Sequence, residues 1–323
     1  MKNRHPFPPS LSGLQLGRAA DATWLVRLHD DADWITLELP PSATSRDAIR
    51  ACRSLPEGWA RQTPSHHAST PLSAPAFRPG KIVAVAANYA AHAAEVGLDT
   101  RGDLVIFAKF PTSLTGPFDP ILVDPDITTE VDYETELAIV IGHTIGPRRR
   151  PLALEQAVFG YTVANDISAR DIQRLGNRLT HAKSLDTFLP LGPWITRPGP
   201  DVDVDDLHLA TIVNGVERQS ATTALMRRDV ATLVREISQQ ITLEPGDIIL
   251  TGSPAGSAAG QATPQFLADE DVVESRIEHL GSMRNVITTS RASMRAELTT
   301  PDPPVPRESC RSKRNCMTLM TLI

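Results

Sequence analysis

The chain has 323 residues, 41% of them hydrophobic, which is enough to bury one large domain together with a small one. Its net charge of −6 and isoelectric point near 5.9 argue against nucleic acid or an anionic membrane surface as the main partner. No run approaches the roughly eighteen apolar residues needed to cross a bilayer, and the start, Met1-Lys2-Asn3-Arg4, runs into Pro8-Pro9-Ser10 without the apolar stretch of a signal peptide.

Three cysteines, Cys52, Cys310 and Cys316, stand at spacings that fit neither a zinc site nor a disulfide framework, so a reducing cytoplasm is the expected location. Thr23–Leu28 and Trp34–Leu39 read as two strands joined by the turn Asp30-Asp31-Ala32-Asp33. Thr63–Pro79, rich in Pro, Ser, Thr and His, reads as a linker, in which His66 and His67 are solvated loop residues. The first 79 residues are therefore expected to form a small β-rich unit.

From Lys81 onward the chain changes to short apolar runs separated by Gly and Pro. Buried strands are expected at Ile82–Val85, Leu104–Phe107, Leu137–Ile141, Phe159–Ala164 and Ile248–Leu250. The clearest helix is Arg227–Gln240, where Val230, Leu233, Val234, Ile237 and Ile241 make one apolar stripe, stopped by Glu244-Pro245-Gly246-Asp247. The pattern predicts a β-rich α+β domain over 80–291, followed by a Pro-rich, disordered tail over 292–323.

Three sets of residues carry chemistry. Glu134 and Glu136 lie two apart on a strand that runs directly into apolar residues, so their carboxylates share a face. A solvated surface strand would also accommodate an E-x-E pair, but carboxylates at the mouth of a core need a proton or a cation between them. Asp166 ends the Phe159–Ala164 strand and is either a helix cap or a third ligand. An all-oxygen site of this kind suits Mg²⁺, Mn²⁺ or Ca²⁺ rather than zinc or copper. Upstream, His92 and Glu95 stand at i, i+3 on an alanine-rich helix, where the carboxylate can orient an imidazole acting as general base.

Several ordered motifs join these residues: Asn88-Tyr89-x-x-His92-x-x-Glu95, Phe107-x-Lys109, Asp132-Tyr133-Glu134-x-Glu136, Gly160-Tyr161-Thr162-x-x-Asn165-Asp166-x-Ser168-Ala169-Arg170-Asp171, Lys183-Ser184-x-Asp186 and Leu243–Gly256. In this order they resemble the fumarylacetoacetate hydrolase family, over roughly Lys81 to Val286. The resemblance implies a mixed β-roll, commonly dimeric, with a small β-rich domain ahead of it. It implies metal ligands at Glu134, Glu136 and Asp166 for Mg²⁺ or Mn²⁺, with Ca²⁺ able to stand in, and a water-activating dyad of His92 and Glu95. Substrate contacts are implied at Arg170, Gln173, Lys183 and Ser253, with Lys183 also catalytic. The expected reaction is hydrolysis of a carbon–carbon bond in a small 2,4-dioxo acid, such as an acylpyruvate, through a metal-bound enolate, by a homodimer. Decarboxylation of an oxo acid or isomerisation of an unsaturated dioic acid is the alternative for the same site.

Overall fold

The computed structural model describes residues 12–289 apart from 30–31, 57, 75–77, 98–101 and 177. The chain divides into the units Met1–Thr289 and Ser290–Ile323. The expected tail, Cys310, Cys316 and part of the acidic turn thus lie outside the described residues.

Among the described residues, eleven strands share one sheet. Its main path runs Ile35–Thr36, Trp24–Arg27, Gln15–Ala19, Leu189–Thr196, Val158–Asn165, Thr135–Ile141, Ile248–Leu250, Ile82–Val85, Ile106–Lys109. Neighbours on it are antiparallel except Ile248–Leu250 against Ile82–Val85. A five-stranded sheet, including His208–Val213, Val216–Thr222, Val272–Ile277 and Gly281–Thr288, completes the β-rich framework.

The central strand Thr135–Ile141 is buried along its whole length because both its faces meet apolar layers. Leu137, Ile139 and Ile141 pack in the cluster that contains helix Val230–Ser238, while Val140 packs in the cluster of Phe159, Ile195, Trp24 and Trp59. That helix starts with its apolar stripe at Val230, three residues later than the expected Arg227. The amides of Arg227 and Arg228 are taken by the Asn88 carbonyl and side chain (2.7 and 2.9 Å), and Asp229 caps the first turn through the Thr232 amide.

The strand expected at Leu104–Phe107 is displaced to Ile106–Lys109, since pairing with Ile82–Val85 runs from Val85↔Ile106 to Ile82↔Lys109. This register carries Lys109 into the core. Helix Ser45–Arg53 is absent from the sequence expectations, although Thr44 and Asp47 form a capping box and Ala48, Ile49 and Cys52 give it a buried face.

In the amino-terminal region Trp24–Arg27 and Ile35–Thr36 pair as expected, and Gln15↔Thr196 joins this group to the main sheet. The Arg27 guanidinium lies over the rings of Trp34 and Trp194, 4.1 and 4.4 Å from their centroids, clamping the join. The stretch with linker composition is itself pinned, by Arg18↔Ser73 pairing and by a bridge between Trp34 and His66. His66 and His67 bond to the hydroxyls of Ser65 and Ser69 beside them, so they face no common site.

Candidate active site

Strand register brings the three acids together. Thr135 pairs with Asn165 across antiparallel strands, so the residues flanking them meet at one end of the pair. Asp166 donates its amide to the Glu134 carbonyl (2.8 Å), and Asn165 accepts the Glu134 amide (2.9 Å). One carboxylate oxygen from each of Glu134, Glu136 and Asp166 lies within 4.8 Å of the others. All three are buried, which removes the solvated-strand alternative for the E-x-E pair. Asp166 caps no helix: the short helix that follows begins at Arg170 with Ala169 in the cap position.

Cations partly balance this charge. Lys183 Nζ reaches both Glu134 Oε2 and Asp166 Oδ2, the latter at 2.6 Å, and Lys109 Nζ donates to Asp166 Oδ1 at 2.6 Å and to the Phe188 carbonyl at 3.0 Å. Arg170 Nη2 holds Glu134 Oε1, and its Nη1 donates to Gln173 Oε1 at 2.9 Å. Burial opposes ionisation of Glu134, but the Arg170 and Lys183 charges outweigh it and hold its pKa well below the usual carboxylate range. Glu136 goes the other way. Burial and then the neighbouring Asp166 charge push it well above that range, relieved only in part by Lys183 and by the Gly252 amide at 2.7 Å.

The donor set therefore fits a hard divalent cation. Three carboxylate oxygens converge, and one of them is destabilised as an anion by the other two.

His92 stands on helix Ala90–Glu95, whose start is tied down by Asn88: its side-chain amide donates to the carbonyls of Thr251 (2.8 Å) and Arg228 (3.1 Å). The imidazole is buried, with Nε2 3.3 Å from Glu134 Oε1 and Nδ1 3.5 Å from Glu95 Oε2. The second contact is too long for a full hydrogen bond, so Nδ1 has no close partner. Burial disfavours the imidazolium, yet the Glu134 and Glu95 carboxylates prevail and push its pKa up to about 9. Glu95 is itself fixed from behind, because the Gly256 amide lies 3.0 Å from both its oxygens. A side chain at Gly256 would meet the Arg218 carbonyl oxygen at 2.0 Å, and φ is +103°, so only glycine fits there.

Ser253 lines the same cavity as His92, Glu134, Glu136, Asp166, Arg170, Gln173 and Lys183. Its hydroxyl donates to the Thr135 carbonyl (3.2 Å) and accepts from Gln219 (2.8 Å). All the residues singled out from the sequence thus line or touch one cavity, with Glu95 reaching it through His92. Its volume is about 40 Å³, and Val96, Phe107 and Leu179 wall it.

Sequence reasoning missed two contributors. Lys109 appears in the F-x-K motif, but only the shifted strand register shows that its ammonium is buried against Asp166. Asp132 is fully buried and accepts four N–H groups: the amides of Tyr133 (2.8 Å), Ala258 (2.8 Å) and Ala259 (3.0 Å), and Arg170 Nε (2.8 Å). It binds the loop that latches Glu95 to the short helix whose first residue is Arg170. Asp132→Asn is expected to destabilise the protein by about 3 kcal/mol, because the new NH₂ must face a donor and Arg170 loses a charged partner. Urea unfolding measures this, and the same variant should raise KM, since Arg170 is then positioned by Glu134 and Gln173 alone.

A buried carboxylate trio that could hold a divalent cation, with lysines, a guanidinium and an imidazole converging on it, offers acid–base groups around one point. The chain belongs to the fumarylacetoacetate hydrolase family: the model of the fumarylacetoacetate (FAA) hydrolase C-terminal domain matches residues 81–288. It is 38% identical over 274 residues to protein Rv2993c of Mycobacterium tuberculosis, covering 85% of this chain and 98% of that one. It is 40% identical over 216 residues to the mitochondrial oxaloacetate tautomerase FAHD2A of Bos taurus, covering 66% of this chain and 68% of the relative. Among solved structures, the maleylpyruvate hydrolase of Sphingobium sp. SYK-6, in complex with manganese(II) and pyruvate, superposes with a TM-score of 0.69 at 28% identity, covering 86% of this chain and 100% of that one. The hydrolase, isomerase and tautomerase relatives make this chain an enzyme. No helix among the described residues is long and apolar enough to cross a membrane.

Proposed function

We propose that the enzyme interconverts the keto and enol forms of a small 2-oxo diacid of the oxaloacetate type. The observation that carries this reading is the convergence of one acid–base group, His92, and one ammonium, Lys183, on the two oxygens of Glu134 inside a cavity of about 40 Å³. Tautomerisation needs no more than this: a group that moves a proton at C3 and a positive charge that meets the enolate oxygen at C2. The tautomerase relative supports the same reaction, and the narrow walls favour a short substrate over a long acyl chain.

Glu134, Glu136 and Asp166 would hold a divalent cation, which when bound supplies Lewis-acid polarisation of the oxo group and offsets the carboxylate charge that keeps His92 protonated. Arg170, held by Asp132 and Gln173, presents its guanidinium to a substrate carboxylate. Lys183 places its ammonium at the oxygen that gains charge. Burial opposes that ammonium, but Asp166 and Glu134 outweigh it and raise its pKa, so it stays charged. His92 carries the proton, and Glu95, clamped by Gly256, keeps the ring aimed.

Hydrolytic cleavage of a 2,4-dioxo acid is the second reading, favoured by the His92–Glu95 arrangement, which would equally orient an imidazole to take a proton from water. The test supplies oxaloacetate as its enol with Mg²⁺ or Mn²⁺ and follows loss of enol absorbance, with release of carbon dioxide and, from acylpyruvates, of pyruvate measured in parallel. Accelerated ketonisation without either product is expected. A higher kcat/KM for pyruvate release from acylpyruvates would replace the tautomerase reading with the hydrolytic one. A homodimer is proposed as the working assembly, and light scattering coupled to size-exclusion chromatography tests it.

A further inference from the structure

A second cavity, of about 410 Å³, lies against the exposed side of helix Val230–Ser238 and has no residue in common with the site above. This volume falls within the range of about 300–1,000 Å³ usual for small-molecule clefts. One wall is the segment 145–154. It is anchored to the far end of the same helical connection, because Ile145 and Leu243 exchange both backbone hydrogen bonds (3.0 and 2.8 Å). Helix Leu154–Ala157 closes the end, and Leu154 packs onto the main core. The cavity wall is thus held by strand-like pairing and by core packing, not by loop side chains alone.

The lining is chemically lopsided. Ile145, Leu154 and Val234 make an apolar floor, and Arg149, Arg150 and Arg235 contribute three guanidiniums without a single carboxylate among the lining residues. Other arginines, such as Arg46, Arg174 and Arg228, pair with Glu244, Glu130 and Glu236. Among the described residues none of the three cavity arginines forms an ion pair, in a chain whose net charge is −6. All three are exposed, so water solvates them in the absence of a ligand, and their like charges beside an apolar floor leave a positive potential that an anion would neutralise.

We propose that this cavity is a binding site for a soluble amphipathic anion, a carboxylate or phosphate carried on a short apolar body. The guanidiniums would take the anionic head by charge-assisted, two-pronged hydrogen bonds, and the floor would take the apolar body. Neither group alone accounts for both features: inorganic phosphate leaves the floor uncovered, and a neutral hydrocarbon leaves the arginines unneutralised.

The test uses the full chain, with oxalate saturating the carboxylate–lysine site so that only the second site reports. Calorimetric titration with 4-phenylbutyrate and with phenyl phosphate is expected to show one saturable site, and neutral 4-phenylbutyramide to bind at least tenfold more weakly. Arg150→Ala and Arg235→Ala should each weaken the two anions at least tenfold. Ala231→Trp, which fills the cavity from an exposed helix position, should abolish binding, with oxo-acid turnover and melting temperature unchanged in all three. The proposal is overturned if neither anion saturates, if the amide binds as tightly, or if the variants bind as the parent does. It is equally overturned if the arginines prove to serve a membrane, with phosphatidylserine-containing vesicles retained in an Arg150-dependent manner while the small anions are not.

Discussion

Glu136→Gln is expected to abolish divalent-cation binding and to lower kcat/KM by about 10³-fold or more, the scale of losing a preorganised charge at a reacting oxygen. The same change should raise the melting temperature of the metal-free protein. Glu136 is buried between two other carboxylates, and the Gln carbonyl can still accept the Gly252 amide, so the substitution removes repulsion without losing that bond. The sign with pH follows from its raised pKa. An acid whose pKa rises on folding favours the folded state only while protonated, so the metal-free parent loses stability as pH climbs from the ordinary Glu range through Glu136's raised value. The gap between variant and parent therefore widens upward in pH. Adding Mn²⁺ should stabilise the parent alone. Calorimetric melts across pH, with and without Mn²⁺, check each part, and a variant that still binds the cation with undiminished turnover would remove Glu136 from the site.

His92→Asn should cost about 10²–10⁴-fold in kcat, the usual worth of a positioned acid–base group, while leaving Mn²⁺ affinity within tenfold of the parent. The imidazole touches Glu134 from the helix that starts at Ala90, and the three ligands keep their strand positions without it. Loss of Glu95 should hurt less. Its contact with Nδ1 is 3.5 Å, so Glu95→Gln removes charge and orientation rather than the proton carrier. Steady-state kinetics and cation titration separate the two effects: a fall in kcat with unchanged affinity is the expected split, and full activity in His92→Asn would end its role as proton carrier.

Spacing alone determined much of this molecule. Period-two alternation puts Glu134 and Glu136 on one face, and i, i+3 puts His92 near Glu95, because both periodicities are local properties of the backbone. Apolar runs marked the strands at Ile82–Val85, Thr135–Ile141, Val158–Asn165 and Ile248–Leu250, since continuous burial needs continuous hydrophobicity. Partnership across the chain lay beyond local rules. Only the Thr135↔Asn165 register decides that Asp166 joins the glutamates rather than capping a helix, and only Ile82↔Lys109 decides that an ordinary-looking lysine is buried against it. Asp132 reads as one more acid in an acidic run until the fold closes a loop and a guanidinium around it. Burial, and with it the divergent acidity of Glu134 and Glu136, belongs to the assembled sheets, because desolvation depends on what packs around a group and not on its neighbours in sequence.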